Sequence, residues 1–113
     1  PPGILFAGPF ELEAFSGNDV LNNAGDQMVI DGPGNWPLEG GSCSTFQPTG
    51  NGFGYTAGGT GAVGLRVTAA NAVVDAEFET WFHDPPEPGI DYAVDAGFSS
   101  VDATNPCTGP FPP

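Results

Sequence analysis

The sequence predicts an all-β fold, an antiparallel β-sandwich or jelly roll of about six to seven strands, with a small barrel as the alternative. Apolar and polar residues alternate with period two in several short stretches, and almost no stretch has the periodicity of a helix. The 18 Gly and 13 Pro fall between these stretches as turn signals. We expect one domain over residues 1–113, with Pro-rich extended segments at 1–9 and 105–113.

The alternation predicts strands in succession along the chain. Residues 10–14 place apolar side chains on one face and Glu on the other, which is typical of a half-buried strand. Residues 27–31 form a short apolar run that ends at the Gly-Pro-Gly turn of 32–34. Residues 52–57 and 90–98 show the same period-two order, so each is expected to contain a strand. No internal repeat is expected.

The clearest predicted unit is a β-hairpin over residues 62–82. A two-residue turn at 70–71 would place the apolar residues of both strands on one face. On the opposite face the same register sets Arg66 across from Asp75, and opposite charges across a ladder contribute a few tenths of a kcal/mol. The Arg66–Asp75 pair is therefore a specific prediction of the antiparallel model.

The charge of the chain restricts its partners. There are 14 Asp and Glu against a single Arg66, which gives a formal net charge of −13. Nucleic acids and anionic membranes are bound through Lys and Arg clusters, so neither is an expected partner. Alternation places Glu77 and Glu79 on one outward strand face, so much of the charge is interpreted as the solvent side of sheets. Adaptation to high salt is an alternative explanation of the acidity.

The two cysteines, Cys43 and Cys107, are expected to form a disulfide. Two buried free thiols are the alternative, and the absence of a CxxC spacing argues against zinc or thioredoxin chemistry. In the chain-entropy model a bridge over so long a loop contributes about 4 kcal/mol.

No catalytic residue is predicted. Glu77 and Glu79 share a strand face at a spacing that a glycosidase could use, but an exposed acidic face has the same pattern. His83 has neither a second His nor a placed Ser nucleophile, so no triad can be drawn, and His83 is interpreted as a loop residue. We therefore expect a protein that is not an enzyme.

A cofactor is not expected, with calcium as the one candidate. Asp19, Asn22, Asn23 and Asp26 place oxygen ligands in a Gly-containing loop, although the spacing is not that of an EF-hand. Asn and Asp are also ordinary turn formers.

Carbohydrate binding would require exposed aromatic side chains on a sheet face. Trp81 and Trp36 are the candidate sugar platforms, and Trp81 is favoured because alternation places it on the outward, acidic side of its strand. One exposed aromatic residue is nevertheless common on protein surfaces.

The apolar, Pro-rich ends suggest an assembly arm that lies on a neighbouring subunit, formed by Ile4, Leu5, Phe6, Phe10 and Phe111. Alternatively, residues 4–6 form the first strand of the domain's own core. A chain that begins with proline fits either a precursor cut by signal peptidase or removal of an initiator Met.

Together these features predict a non-catalytic structural protein that coats or cements a larger assembly, such as a virus-capsid decoration protein or an extracellular filament subunit. Its expected partners are copies of itself and a neighbouring structural protein, at an extracellular or virion surface. The alternative is a carbohydrate-binding module, with or without calcium. No run of about 18 apolar residues, the length that would span a bilayer, is present.

Overall fold

The computed structural model describes residues 2–8, 12, 15, 17–21, 23, 25–38, 43, 51–54 and 62–107. Ten short strands lie within them. They are β1 (Ile4–Ala7), β2 (Asp19–Val20), β3 (Met28–Asp31), β4 (Gly34–Pro37), β5 (Gly52–Phe53), β6 (Leu65–Val67), β7 (Ala72–Asp75), β8 (Thr80–Trp81), β9 (Tyr92–Val94) and β10 (Ser100–Asp102). Phe10, Asn22 and Phe111, which the sequence analysis singled out, lie outside the described residues.

Among the described residues all strand pairs are parallel, and they form three sheets. Sheet A has the order β1-β3-β6-β9, sheet B has the order β4-β7-β10, and sheet C has the order β2-β5-β8. From β3 onward the chain visits A, B and C in rotation, and from β5 onward each strand pairs with the strand one coil earlier. The fold is therefore a three-sided parallel β-solenoid.

The predicted antiparallel sandwich or jelly roll is wrong, and so is the predicted strand number. The all-β class itself is confirmed, because the described residues contain strands and no helix. The error has a physical cause: a half-buried strand alternates with period two whether its neighbour runs parallel or antiparallel. Alternation therefore identifies the buried face and leaves the partner undetermined.

The core is a set of columns that run across the coils. In sheet A, Met28 pairs with Leu65 and Ile30 with Val67, and all four side chains are fully buried. A column of Trp36, Val74 and Val101 lines sheet B, and one of Val20, Phe53 and Trp81 lines sheet C. Apolar side chains stacked in register bury a continuous surface that no single coil could bury alone.

The predicted hairpin over 62–82 does not form. Its two strands are β6 and β7, and β6 belongs to sheet A whereas β7 belongs to sheet B. The predicted inward face is nevertheless buried: Leu65, Val67 and Val74 are fully enclosed. A turn that joins two sheets at a corner keeps the same inward alternation as a hairpin, which is why the sequence pattern fitted both.

The structure also contains a repeat that the sequence analysis did not find. Residues 65–75 and 92–102 align without a gap, since Leu65 pairs with Tyr92 and Val73 with Ser100 at the same offset. Only a few identities recur between the two segments, such as Val74 with Val101. The spacing of the earlier coils differs, and that irregularity hides the period in the sequence.

The predicted disulfide is confirmed. Cys43 and Cys107 are bonded with a Cα–Cα distance of 5.3 Å, and they close a separation of 64 residues. The backbone N–H of Cys107 also donates to the carbonyl of Glu79 at 2.9 Å, so the disulfide lies beside the start of β8, the last strand of sheet C. Nothing in the described part of the chain is a helix long and apolar enough to cross a membrane.

The N-terminal segment is a strand of the solenoid. β1 pairs with β3 from Ile4 opposite Met28 to Ala7 opposite Asp31. Ile4 and Phe6 pack against the core, whereas Leu5 points outward and is exposed. The alternative that residues 4–6 form the first strand of the core is therefore the correct one, and a free apolar arm over these residues is wrong.

Candidate functional site

The two outer strands of sheet A are the most distinctive surface of the described structure. β1 (Ile-Leu-Phe-Ala) and β9 (Tyr-Ala-Val) carry no charged residue, whereas the inner strands β3 and β6 carry Asp31 and Arg66. Soluble proteins usually place charges, Pro or bulges on edge strands, because an unprotected edge is a template for pairing with another chain. Sheet A shows the reverse arrangement.

Backbone groups at both edges are partly open to a further strand, although on β9 the carbonyl of Tyr92 already accepts the N–H of Gly89 at 2.7 Å. On β9, Asp91 and Asp95 bond to β6 through Leu65 N–H to Asp91 O at 3.0 Å and Asp95 N–H to Val67 O at 2.9 Å. Because these groups alternate along a strand, the N–H and C=O of Val94 point away from β6. On β1, Ile4 and Gly8 bond to β3, so the N–H and C=O of Leu5 point outward. No described residue forms a backbone hydrogen bond with the outward N–H or C=O of Leu5 or Val94.

The core itself is open at the β9 end. Val94 continues the column of Phe6, Ile30 and Val67, but it is 39% exposed because no described coil covers it. At the other end Phe6 is partly covered by Phe15, at 5.8 Å between ring centroids. The β9 end therefore presents unburied core surface beside unpaired backbone.

Arg66 does not pair with Asp75. Asp75 lies in sheet B, whereas Arg66 lies on the outer face of sheet A, where Nε contacts Asp26 at 2.9 Å and Nη1 contacts Asp95 at 2.7 Å. Hydrogen bonds first to Asp26 and then to Asp95 raise the pKa of Arg66 above its ordinary value. Arg66, the one Arg in a sequence without Lys, thus joins three successive coils, since these residues adjoin β3, β6 and β9.

A polar column that is buried at Asn51 and Glu79 and exposed at Asn18 takes the place of the predicted acidic face. Asn18, Asn51 and Glu79 each precede a strand of sheet C and lie in register. Asn51 Oδ1 accepts from Asn18 Nδ2 at 3.1 Å, and Asn51 Nδ2 donates to Glu79 Oε1 at 3.3 Å. Glu79 is fully buried, so its assignment to a solvated face was wrong. Its carboxylate accepts the backbone N–H of Asn51 instead.

Neither tryptophan is a surface platform for sugars. Trp36 is 1% exposed and Trp81 is 3% exposed, because both point inward from their sheets. Trp36 stacks on Phe6 and donates from Nε1 to the carbonyl of Gly32 at 2.9 Å. Trp81 packs on Phe53 and Tyr92. Alternation counted along an antiparallel hairpin assigned Trp81 the wrong face.

The candidate calcium loop makes contacts within the protein. Asp26 binds Arg66 and accepts the backbone N–H of Val63 at 2.8 Å. Asn23 Nδ2 donates to Gln27 Oε1 at 2.7 Å, and Asp19 lies exposed on β2. The described members of the loop thus have partners within the protein or lie exposed, and a cation site that also includes Asn22, outside the described residues, stays a prediction.

A different acidic group forms on sheet B. Asp75, Glu77 and Asp102 bring carboxylate oxygens within 4.8 Å of one another, because Asp102 pairs in register with Asp75. Oxygen ligands at this spacing are of the kind that a hard cation takes. Each carboxylate also accepts a local hydrogen bond, and hydrogen bonds from Thr104 lower the pKa of Asp102. Sequence spacing gave no signal for this group, because Asp75 and Asp102 lie in different coils.

His83 has a partner that the sequence analysis missed. Its Nδ1 lies 3.0 Å from Oδ2 of Asp91, a buried carboxylate that also accepts the backbone N–H of Glu87 at 2.8 Å. Both residues line a cleft of about 160 Å³ together with Phe82 and Ile90. His83 does lie in a loop, as predicted. The spacing of eight residues between His83 and Asp91 carries no recognised motif.

No protein-family model, curated protein or solved structure matches this chain.

Proposed function

We propose that this protein is a non-catalytic assembly module that stacks head to tail with copies of itself through the edges of sheet A. The observation that carries the proposal is the absence of charge on both edge strands, β1 and β9, combined with the unburied core surface at Val94. An edge of this kind is a ready template for another strand. This assigns to β1 a role in assembly as an edge strand.

The two edges are complementary in register. Within the molecule, Ile4, Met28, Leu65 and Tyr92 form one column, so a following copy would place its Ile4 on Tyr92. Its Leu5 would then meet Ala93, and its Phe6 would meet Val94. Every pair across the junction is apolar, and the junction repeats the parallel pairing used inside the molecule.

The backbone groups of the two edges match at Val94, whereas the carbonyl of Tyr92 would have to exchange the N–H of Gly89 for that of Leu5 in the next copy. In sheet A, the N–H of Met28 donates to the carbonyl of Gly64 at 2.9 Å, one residue before its register partner Leu65. The same pattern would direct the open N–H of Val94 to the open carbonyl of Leu5 in the next copy. An interface that uses two different patches on each copy is heterologous, so it propagates into a filament when it does not close into a ring.

Charge repulsion opposes this stacking. At a formal net charge of −13, two copies repel strongly at low ionic strength, and salt screens exposed charges beyond about 8 Å at physiological ionic strength. We therefore expect association to increase with salt. The disulfide fits an oxidising compartment, which supports the extracellular or virion surface as the place of assembly.

The test is molar mass in solution, measured by light scattering over a range of protein concentration at about 20 mM and about 500 mM NaCl. We expect masses that rise in multiples of 11.5 kDa at high salt. Val94→Asp should keep the protein monomeric. Val73→Asp is the matched control, because Val73 is 50% exposed on the outer side of sheet B, away from both edges of sheet A.

Circular dichroism and thermal unfolding would verify that both variants fold. A wild-type protein that stays monomeric at high salt and high concentration would overturn the proposal. Equal loss of association in Val94→Asp and Val73→Asp would also overturn it, because it would show that added charge alone prevents association.

A further inference from the structure

A second feature lies away from the β1 edge and does not depend on the proposed assembly. The cleft of about 160 Å³ sits between the start of β9 and the loop that follows β8, with Gly54 and Gly64 among its lining residues. The backbone of Asp91 is fixed to β6, since Leu65 N–H donates to its carbonyl at 3.0 Å. A Cβ on Gly64 would lie 2.8 Å from that carbonyl oxygen, so the close approach of the coils requires glycine there.

The hydrogen bonds at Asp91 set the tautomer of His83. An ionised carboxylate only accepts hydrogen bonds, so Nδ1 of the imidazole, 3.0 Å from Oδ2, carries the proton. In the neutral ring Nε2 is then an acceptor. Because Asp91 is buried and also accepts the Glu87 N–H, it holds the imidazole in one orientation while the ring stays partly open to solvent. His83 is thus a fixed hydrogen-bond acceptor in a cleft.

The other walls of the cleft are apolar. Phe82 meets the His83 ring edge to face at 4.9 Å between centroids, and Ile90 is an exposed aliphatic side chain beside it. The loop also carries the exposed acids Asp84 and Glu87, and the whole chain is strongly acidic. An anionic ligand is therefore disfavoured, and an apolar group with one hydrogen-bond donor matches the lining.

We propose that this cleft binds a small neutral aromatic ring that carries a hydroxyl group, with the hydroxyl donating to His83 Nε2 and the ring packed on Phe82 and Ile90. The volume agrees with a single ring, because an apolar cavity of about 150 Å³ holds benzene. The ligand class is phenolic. A hexose presents hydroxyls on all sides and would leave most of them facing apolar walls.

The test uses phenol as the probe, with anisole as a ring of similar size that has no donor. His83 is the only histidine, so its imidazole nitrogens give unambiguous NMR signals. We expect phenol to shift the Nε2 resonance and to bind roughly fivefold to tenfold more tightly than anisole, the factor that one hydrogen bond supplies. Phe82→Ala should weaken both ligands, whereas Phe98→Ala, at an exposed aromatic residue elsewhere, should weaken neither.

Asp91→Asn gives the sharpest comparison. The new carboxamide oxygen can keep the Glu87 N–H at the place of Oδ2, 3.0 Å from Nδ1 of His83, and the amide nitrogen then takes the place of Oδ1 at 3.2 Å. The oxygen accepts from a protonated Nδ1 and the nitrogen donates to a bare Nδ1, so this variant no longer fixes the tautomer. We expect it to lose the wild-type preference for phenol, a ring donor, over pyridine, a ring acceptor.

Three results would overturn the inference. The first is a wild-type imidazole protonated at Nε2, the second is equal affinity for phenol and anisole, and the third is a hexose that binds more tightly than phenol. The first two comparisons use the wild-type protein, so they remain decisive even if Asp91→Asn does not fold. These three tests of the cleft do not depend on whether Val94→Asp loses self-association.

Discussion

Asn71 and Phe98 occupy the same corner of successive coils, and both have positive φ, 60° for Asn71 and 59° for Phe98. The corner joins sheet A to sheet B, and the N–H of Asn71 donates to the carbonyl of Gly97 at 3.3 Å. Asn adopts this left-handed conformation readily, whereas a bulky aromatic residue is strained by it. Phe98 is 92% exposed, so burial does not offset the strain.

Phe98→Asn should therefore stabilise the protein. We expect a gain of about 0.5–1 kcal/mol in the free energy of unfolding and a midpoint several degrees higher, since the left-handed conformation costs a non-Gly residue about 1–2 kcal/mol and Asn less. Urea and thermal unfolding measure both quantities. Phe78→Asn is the comparison: Phe78 has φ 58° but is half-buried, so relief of strain is opposed by lost burial. A less stable Phe98→Asn protein would contradict the assignment of strain.

Asn51→Ala should be among the most destabilising single substitutions. Asn51 is fully buried, and its Nδ2 donates to the carbonyls of Phe15 and Leu38 and to Glu79 Oε1. Truncation leaves these acceptors without that donor in the interior, at a cost of about 3 kcal/mol or more. Asn18→Ala, at the exposed end of the same column, should cost about 1 kcal/mol. Urea unfolding measures both losses of stability. Similar losses in the two variants would contradict the expectation that the buried end of the column contributes more than its exposed end.

The two carboxylate partners of Arg66 should contribute unequally to the free energy of unfolding. Asp26 is 16% exposed and also accepts the Val63 N–H, whereas Asp95 is 46% exposed and lies 2.7 Å from Arg66 Nη1. We expect Asp26→Asn to destabilise by about 1–3 kcal/mol and Asp95→Asn by less than about 1 kcal/mol, because solvent screens the exposed pair. Urea unfolding at low and high salt would test this, with the Asp95 effect the more salt-sensitive. A larger effect at Asp95 would contradict it.

Thr104 should control a pH-dependent part of the stability. The Thr104 side chain, and then its backbone N–H, hydrogen-bond to Asp102 and lower the pKa of that carboxyl below its ordinary value of 3.8. The stabilisation is therefore present above the ordinary pKa and is lost as pH falls through the folded pKa. Thr104→Val should raise the pKa of Asp102 toward 3.8, as followed by NMR titration. Its stability deficit should be present at neutral pH and vanish under strongly acidic conditions; a deficit that stays constant with pH would point to packing alone.

The sequence indicated which side chains point inward more reliably than it indicated their neighbours. Leu65, Val67 and Val74 were assigned to a buried face and are buried. Trp81 and Glu79 were assigned to the surface and are buried. The predicted hairpin treated residues 72–82 as one continuous strand, whereas the chain turns between β7 and β8 and enters sheet C there. Inward alternation agrees with the hairpin register across the corner between β6 and β7 but shifts between β7 and β8, and the sequence does not mark which corner shifts it.

The sequence did not predict the candidate sites for the same reason. The open edges of β1 and β9, the Asp75 and Asp102 pair, and the imidazole of His83 beside Asp91 all depend on which coil lies next to which. The lengths of the turns between coils are unequal, so residues that stack in space share no constant spacing in the chain.

By itself the sequence determined an all-β chain, the identity of much of its apolar core, its strongly acidic surface and its disulfide. These follow from local alternation, from composition and from an even pair of cysteines, which need no knowledge of the strand partners. Only the tertiary structure decided that the sheets are parallel, that Arg66 joins Asp26 and Asp95, and that uncharged edges flank sheet A. Strand partners are set by long-range packing across coils of unequal length, and period-two alternation is the same for every choice of partner.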